Sequence, residues 1–388
     1  MKRASQSPTQ NGFVQDPYPF YAQLRDMGPL VWWDDYAMPM ATDHATVSAL
    51  LRDKRFGREN PLGLDYPDRL APFYEIEAHS MLELEPPRHT RLRGLVLRAF
   101  TSRRIAGLEP ELIQLCHDLI DGFPSGEFDL LEHYAQRLPV IIIARLLGVP
   151  ENMAPQLLSW SNAMVGMYQA SRTTQTEAAA CAAATDFADF LKAYVSKRRT
   201  APRDDLITNL IAAEQDGEKL STAELITTCI LLLNAGHEAT VHTLGNAIRT
   251  CLTTDLYPSR EPAFIEEVLR HDPPLHMFTR FAMQDVEICG HRFKTGDQVG
   301  LLLASANRDP AVYPDPTRFD STRSAKAHTS FGGGIHFCVG APLARMEIKH
   351  ALPILFERCP DLKLAAPARY ANLYHFHGLE DLRVTSGD

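Results

Sequence analysis

The chain has no C-x-x-C pair, no internal repeat and no apolar run long enough to span a bilayer. Its seven cysteines are Cys116, Cys181, Cys229, Cys251, Cys289, Cys338 and Cys359. They are odd in number and scattered, which argues against a disulfide framework or a zinc ribbon. Most are expected to be small buried apolar residues. An excess of basic charge is also missing. The formal net charge is −9, which points away from nucleic acid and from anionic membrane surfaces. The opening residues, MKRASQSPTQNG, are polar and hold no signal-peptide hydrophobic segment. The expectation is a cytoplasmic protein with no nucleic-acid partner and no membrane.

What is present is ordinary globular material. The chain has 388 residues, 45% hydrophobic and 22% charged, enough for one large core. Apolar spacing predicts helices near 18–26, 88–100, 103–123, 130–147 and 178–199. Residues 32–40 read as paired strands around a turn. Further short strands are expected at 286–288, 298–303 and 381–384. No linker stands out. The reading is a mainly α fold with a small β portion, a single domain over 1–388. An irregular stretch rich in Pro, Asp and Gly runs from Asn307 to Gly334, and such a length of loop in a compact protein is usually functional.

The longest helical signal opens with Ser221-Thr-Ala-Glu224, a capping-box pattern, and runs to about Leu252, a span of roughly 45 Å at 1.5 Å per residue. Its middle reads NAGHEAT, Asn234 to Thr240. Gly236 costs about 1 kcal/mol there relative to Ala. Glu238 is a charge in an apolar setting. A packing glycine and a partnered carboxylate would explain both.

FGGGIHFCVG, Phe331 to Gly340, is the most unusual stretch. Cys338 and His336 could form a nucleophile and base, and zinc or a plain glycine turn are further readings. The glycines favour another arrangement. They allow positive φ and close approach to a flat ligand, inward N–H groups stabilise a thiolate, and a helix N-terminus follows. Those features suit a thiolate holding a metal beneath a planar cofactor.

The same ten residues resemble F-G-x-G-x-H-x-C-x-G, the haem loop of the cytochrome P450 superfamily. Phe331, Gly332, Gly334, His336, Cys338 and Gly340 all match, and APLAR from Ala341 to Arg345 is similar to the bacterial branch. The resemblance runs from DPYPFYAQLR at Asp16 to HGLEDL at His377. It implies a P450 fold with the long helix over haem b, and Cys338 as the metal ligand. It places His89, Arg93, Arg280 and His336 on the haem propionates, with Ala235, Phe331, Gly332 and Gly340 also against the cofactor. Glu267 and Arg270 in EEVLR match a structural pair, with Arg318 of PDPTRFD as the expected third member. NAGHEAT matches the segment above the haem, where Glu238 is implied in proton delivery. Here the sequence departs from the pattern. Ala239 replaces the usual threonine, and Thr240 sits about 100° further around the helix. The connection TTDLYPSREP is also shorter than in most relatives.

The implied reaction is a monooxygenation with dioxygen and electrons from an external ferredoxin and its reductase. Arg88, Arg91, Arg98, Arg103, Arg104 and Lys326 form a candidate docking patch, or simply solvated helix faces. Matching positions imply that Leu231, Asn234, Leu275, Met277, Phe278, His375 and Phe376 line a pocket for a hydrophobic small molecule, with Met81, Met164, Met167 and Tyr168 nearby. The alternatives are a peroxide-driven haem-thiolate enzyme, a non-catalytic haem protein and, last, a thiol hydrolase.

Overall fold

The computed structural model describes residues 1–63, 65–215, 218–323 and 328–386. The central helix runs Thr222–Thr254 without a break. Its capping box forms as the sequence predicts. Ser221 Oγ accepts from Glu224 N at 3.2 Å, and Glu224 Oε2 accepts from Ser221 N at 2.9 Å. Ser221→Ala is expected to cost about 1 kcal/mol, read as a lower urea midpoint with an unchanged slope.

Packing explains why so long a helix is stable. It lies against the helices Arg137–Leu147, Ala154–Val165, Thr174–Thr200 and Ala341–Arg358. Its buried residues join one hydrophobic core that reaches from Val14 to Val384. Gly236 is one reason the helices come close. A Cβ there would sit 3.1 Å from the Ile143 side chain.

The β portion is small. A six-stranded sheet runs in the order Lys2–Ala4, Leu30–Trp33, Met38–Ala41, Gln298–Leu302, Met277–Ala282, Phe56–Gly57. The paired strands expected around residue 35 form here, with Leu30 opposite Ala41. Two helical expectations are corrected. The stretch 103–123 is two helices, Ser102–Gly107 and Glu109–Asp121, because Pro110 has no N–H to carry the first helix on but is tolerated in the first turn of the second. The stretch 130–147 opens as a π-turn, Leu131–Ala135, before the α-helix begins. Several elements lack an anticipated signal, among them the strand at Lys2–Ala4 and the helices Asn11–Gln15, His44–Leu50, Ala71–Glu77, Ala154–Val165 and Leu206–Ala212. No described helix is long and apolar enough to cross a membrane.

Seven irregular residues, 255–261, join the central helix to Pro262–His271, so the shortened connection carries no helix. In Pro262–His271, Glu267 and Arg270 form a buried bidentate pair at 2.7 and 2.8 Å. The third member is not Arg318. Its guanidinium is exposed and pairs with Asp320, while only its carbonyl reaches Arg270. Arg323 supplies the guanidinium instead, with Nε 3.3 Å from Glu267 Oε1.

Candidate active site

The cysteine loop is built by backbone conformation. Gly332 and Gly334 take φ of +67° and +66°, where a side chain is strained. Gly334 has a second constraint, since a Cβ would lie 2.5 Å from the Leu51 carbonyl oxygen. Gly332 N donates to Thr329 O, and Cys338 N donates to Phe331 O at 3.0 Å. This fold-back places Cys338 just before the helix Ala341–Arg358. Burial pushes the Cys338 thiol up, while the N–H groups of Gly340 and Ala341 and the charges of Arg93 and Arg345 pull it down. Phe331 is half-buried under the Arg345 guanidinium, 4.7 Å from its ring centre.

The central helix presents one open stripe on an otherwise buried surface. Ala235 is exposed, and Leu231, Asn234, Glu238 and Ala239 are half-buried. Their spacing of three and four residues puts them on one face. His237, Thr240 and Val241, between and beyond them, are buried. A stripe of this kind is the wall of a cleft. Asn234 is the uncharged polar group in it: its Oδ1 has no hydrogen-bond partner among the described residues, and its Nδ2 lies 3.7 Å from Met164 Sδ. Thr240 does not face the cleft. Its hydroxyl lies beside Glu347 of the helix Ala341–Arg358, as expected for a side chain 100° off the Ala239 direction. Glu347 is a buried acid that sequence reading missed. Burial pushes its carboxyl up to about 8.

The groups expected to meet two carboxylates are gathered and underused. Arg280 is 2% exposed, and no carboxylate pairs with it among the described residues. It donates only to the carbonyl of its neighbour Thr279. Burial, with Arg58 nearby, lowers it to about 9. Arg58 is a further member that the sequence did not signal. Its guanidinium and that of Arg280 both lie over the Phe278 ring, at 5.5 and 5.9 Å, and its buried Nε lacks a partner. His89 Nδ1 is also without a partner, and burial holds that imidazole down at about 4. Its ring centre is 4.4 Å from that of His336. His336 Nε2 bonds Glu85 Oε1 at 2.8 Å. Arg93 donates to Phe337 O at 2.6 Å. Arg58 pairs with Glu83 at 2.5 Å, so Arg280 is the buried cation left without a carboxylate among the described residues; such a charge is costly, and a haem carboxylate would satisfy it. The residues present therefore fit that group.

The expected pocket residues divide. Leu275 bridges Phe376 in an isolated antiparallel pair, and His276 N donates to His375 O. His375 Nε2 has no partner among the described residues. Phe278 packs on the cysteine loop, 3.3 Å from where a Gly332 Cβ would be. Met277 does not join them. Strand alternation turns it to the other face, where it packs under Gly300 in a separate core with Met40 and Leu302. Met81, Met164 and Met167 are buried in the main core. Tyr168 donates to Glu77 at 2.8 Å, and burial with the neighbouring Glu83 pushes Glu77 up to about 7.

Of the basic patch, Arg91 is paired with Glu224 and Arg104 with Asp204 at 2.6 Å. Arg88 donates to Ala78 O. Arg98 and Arg103 are exposed. Lys326 lies outside the described residues. Exposed Arg52 is an unanticipated member, 3.5 Å from where a Gly333 Cβ would lie.

Comparison with known proteins gives the same answer as this geometry. The family model described as Cytochrome P450 matches residues 262–361. The Cytochrome P450 monooxygenase PikC of Streptomyces venezuelae is 37% identical, over 91% of this chain and 86% of that protein. The Biotin biosynthesis cytochrome P450 of Bacillus subtilis is 34% identical, over 98% of each. Among solved structures, P450BioI in complex with hexadec-9Z-enoic acid ligated acyl carrier protein superposes with a TM-score of 0.91 at 34% identity, covering 97% of this chain and 99% of that one. Myxobacterial CYP267B1 in complex with myristic acid gives 0.87 at 32%, covering 98% of each chain. With a third or more of its residues shared along nearly its whole length, the chain belongs to the cytochrome P450 family and is a monooxygenase of that family.

Proposed function

We propose that the whole chain works as one cytoplasmic domain that binds haem b and hydroxylates a hydrophobic small molecule, using dioxygen and electrons from an external ferredoxin and its reductase. The open stripe of the central helix carries this reading, because it offers apolar wall, one unsatisfied amide oxygen and one carboxylate in a single line. All seven cysteines are free, which suits a reducing compartment. The largest core cluster draws on residues from Val14 to Val384, which supports one domain.

When bound, haem supplies dioxygen activation and oxygen insertion. The chain's own residues do the rest. Cys338 holds the metal as thiolate, steadied by the Gly340 and Ala341 N–H groups. Arg280, Arg58, His89, Arg93 and His336 hold the propionates. Leu231, Ala235, Phe278, Leu275 and Phe376 exclude water from the substrate. Asn234 Oδ1 accepts a hydrogen bond from a substrate hydroxyl and so orients it. Glu238 passes on the protons that the reaction consumes. Ala239 offers no hydroxyl to pass it on, so a substrate hydroxyl or an ordered water takes that place. Exposed Leu97, Ile335 and Phe337, with Arg52, Arg98 and Arg103, suit an acidic ferredoxin with an apolar centre. The fatty-acyl and myristate complexes of the structural relatives support an apolar substrate.

The test is an optical titration of the purified haem protein with fatty acids, terpenoids, steroids and polyketide-like alcohols. A Soret shift to shorter wavelength is expected for at least one class, and stronger for hydroxylated members than for their deoxy analogues. Product formed with ferredoxin and reductase, but not with peroxide alone, separates this reading from a peroxide-driven enzyme. A haem that binds with no shift and no product under either supply would favour a non-catalytic carrier.

A further inference from the structure

Glu238 is held between two imidazoles, and only one of them can serve it. His237 Nε2 is 3.6 Å from Glu238 Oε2, and His242 Nε2 is 3.3 Å from Oε1. His237 Nδ1 lies 2.7 Å from the Leu233 carbonyl oxygen. A carbonyl only accepts, so Nδ1 carries the hydrogen of that ring. Burial keeps the ring neutral. Its Nε2 is then a lone pair with no partner among the described residues, and it has no proton to give. His242, one turn further along the helix, has no such lock.

The far side of His242 is packed against the late turn. A Cβ on Gly378 would fall inside the His242 ring, and the Phe376 ring centre is 6.0 Å away. Behind Gly378 lies a buried polar set. His377 is close enough to feel the charge of His242, and its Nε2 is 3.6 Å from Asp272 Oδ1. Asp272 accepts from Tyr18 at 2.6 Å and from Tyr370 at 2.5 Å. His276 joins them, with one ligand-type atom from each of Asp272, His276 and His377 within 4.8 Å of the others. Asn246 Nδ2 ties the segments together through Asp272 O and His377 O. Tyr18 is half-buried under the half-buried Arg308 guanidinium, and Arg249 reaches Tyr370 at 3.3 Å. The set therefore reaches from half-buried Tyr18 and Arg308 to His377, the chain neighbour of the Gly378 that packs against His242.

We propose that His242 is the relay through which protons reach Glu238, drawn from the set formed by His377, Asp272, Tyr18 and Tyr370. This rests on Glu238 being the acid that delivers protons in the oxygenase reaction. In one transfer His242 releases the proton on Nε2 to Glu238 Oε1 and regains one on Nδ1 from the late-turn side. Solvent water at Tyr18 is the source, and no electrons move. His242 touches neither substrate nor cofactor and acts only through Glu238. The charged and titratable groups around it are Glu238, His237 and Arg249 on its own helix, His377 on the late turn, and Asp272, His276 and Arg308 behind that.

Two measurements test this on the holoenzyme. The first follows the His242 ring nitrogens by NMR in 15N-histidine protein, as the diamagnetic ferrous carbon monoxide form. Glu238→Gln and Asp272→Asn each change a neighbour that the relay needs, so both must shift the His242 ring-nitrogen signals. His377→Gln serves if Asp272→Asn does not fold, and it must alter the same signal. The second uses ferredoxin, reductase and myristic acid as the probe. His242→Asn keeps a hydrogen bond to Glu238 but passes no proton. It is expected to slow oxygen consumption about tenfold or more, to divert electrons to peroxide and to change the solvent isotope effect. Wild-type rate and isotope effect in His242→Asn would reduce the residue to positioning and overturn the proposal. So would a His242 signal that ignores the far set, or one equivalent of divalent metal held by Asp272, His276 and His377. If the protein shows no haem-thiolate band with carbon monoxide, the oxygenase reading fails, while the NMR arm still reports whether His242 couples both sides.

Discussion

Cys338→Ser is expected to abolish dioxygen-dependent turnover and the thiolate-type carbon monoxide band, while the protein still folds. The two consequences separate because of how the loop is held. Its fold-back rests on backbone bonds, Gly332 N to Thr329 O and Cys338 N to Phe331 O, and on the positive φ of Gly332 and Gly334. None of these involves sulfur. Serine is smaller and fits where the thiol was, so the cost to stability is that of a conservative change. The chemistry is different. A serine hydroxyl stays protonated where a cysteine bound to a metal does not, and the electron release that favours O–O cleavage is lost. Circular dichroism and thermal melting should match wild type. The thiolate-type carbon monoxide band should be gone, and product should fall to the level of haem-free protein. Retention of the band in Cys338→Ser would mean that another residue ligates the metal. A parallel Gly334→Ala variant should fail in the opposite way. Its Cβ meets the Leu51 carbonyl oxygen, so the loop itself must move and haem content should drop even with the thiol present.

The parts legible in the sequence share a physical character: each is a local pattern that dictates local structure. The capping box at Ser221 and Glu224 needs only four residues and forms as read. The glycine loop is specified by ten. The fold class follows from apolar spacing. What escaped depends on which residues meet across long separations. Nothing near Arg58 signals that the sheet carries it beside Arg280. Arg318 and Arg323 both lie in the same irregular segment, and only its path decides which guanidinium reaches Glu267. Met277 was assigned to the pocket with Phe278, although adjacent residues of one strand point to opposite faces. His242 is the instructive case. An imidazole four residues after an acid on a helix is a readable signal, since the two lie on one face. Glu347 also had a mark, a charge on a buried helix face between Met346 and Ile348.

Arg270→Leu is expected to be the most destabilising single change away from the cysteine loop. Arg270 is 2% and Glu267 3% exposed. Removing one partner of such a pair leaves a buried charge uncompensated, at about 3–5 kcal/mol. Here the loss spreads. Arg270 also donates to the carbonyls of Asn307, Pro316 and Arg318, and these organise the irregular segment leading to the cysteine loop. Glu267 accepts from Asp320 N at 2.7 Å as well as from Arg323. Breaking the pair should therefore loosen the segment that presents Cys338, and haem should be lost before the helices melt. A fall in melting temperature on the order of 10 °C is expected, together with sub-stoichiometric haem. Comparing two further variants tests which arginine completes the group. Arg318→Ala removes an exposed guanidinium whose carbonyl still reaches Arg270, so it should shift the melt by little, as exposed pairs do. Arg323→Ala removes a half-buried one that bonds Glu267, Asp315 O and Arg318 O, and it should cost clearly more. Equal losses in both, or a larger loss for Arg318→Ala, would mean that the irregular segment takes the other path and that Arg318 is the third member after all.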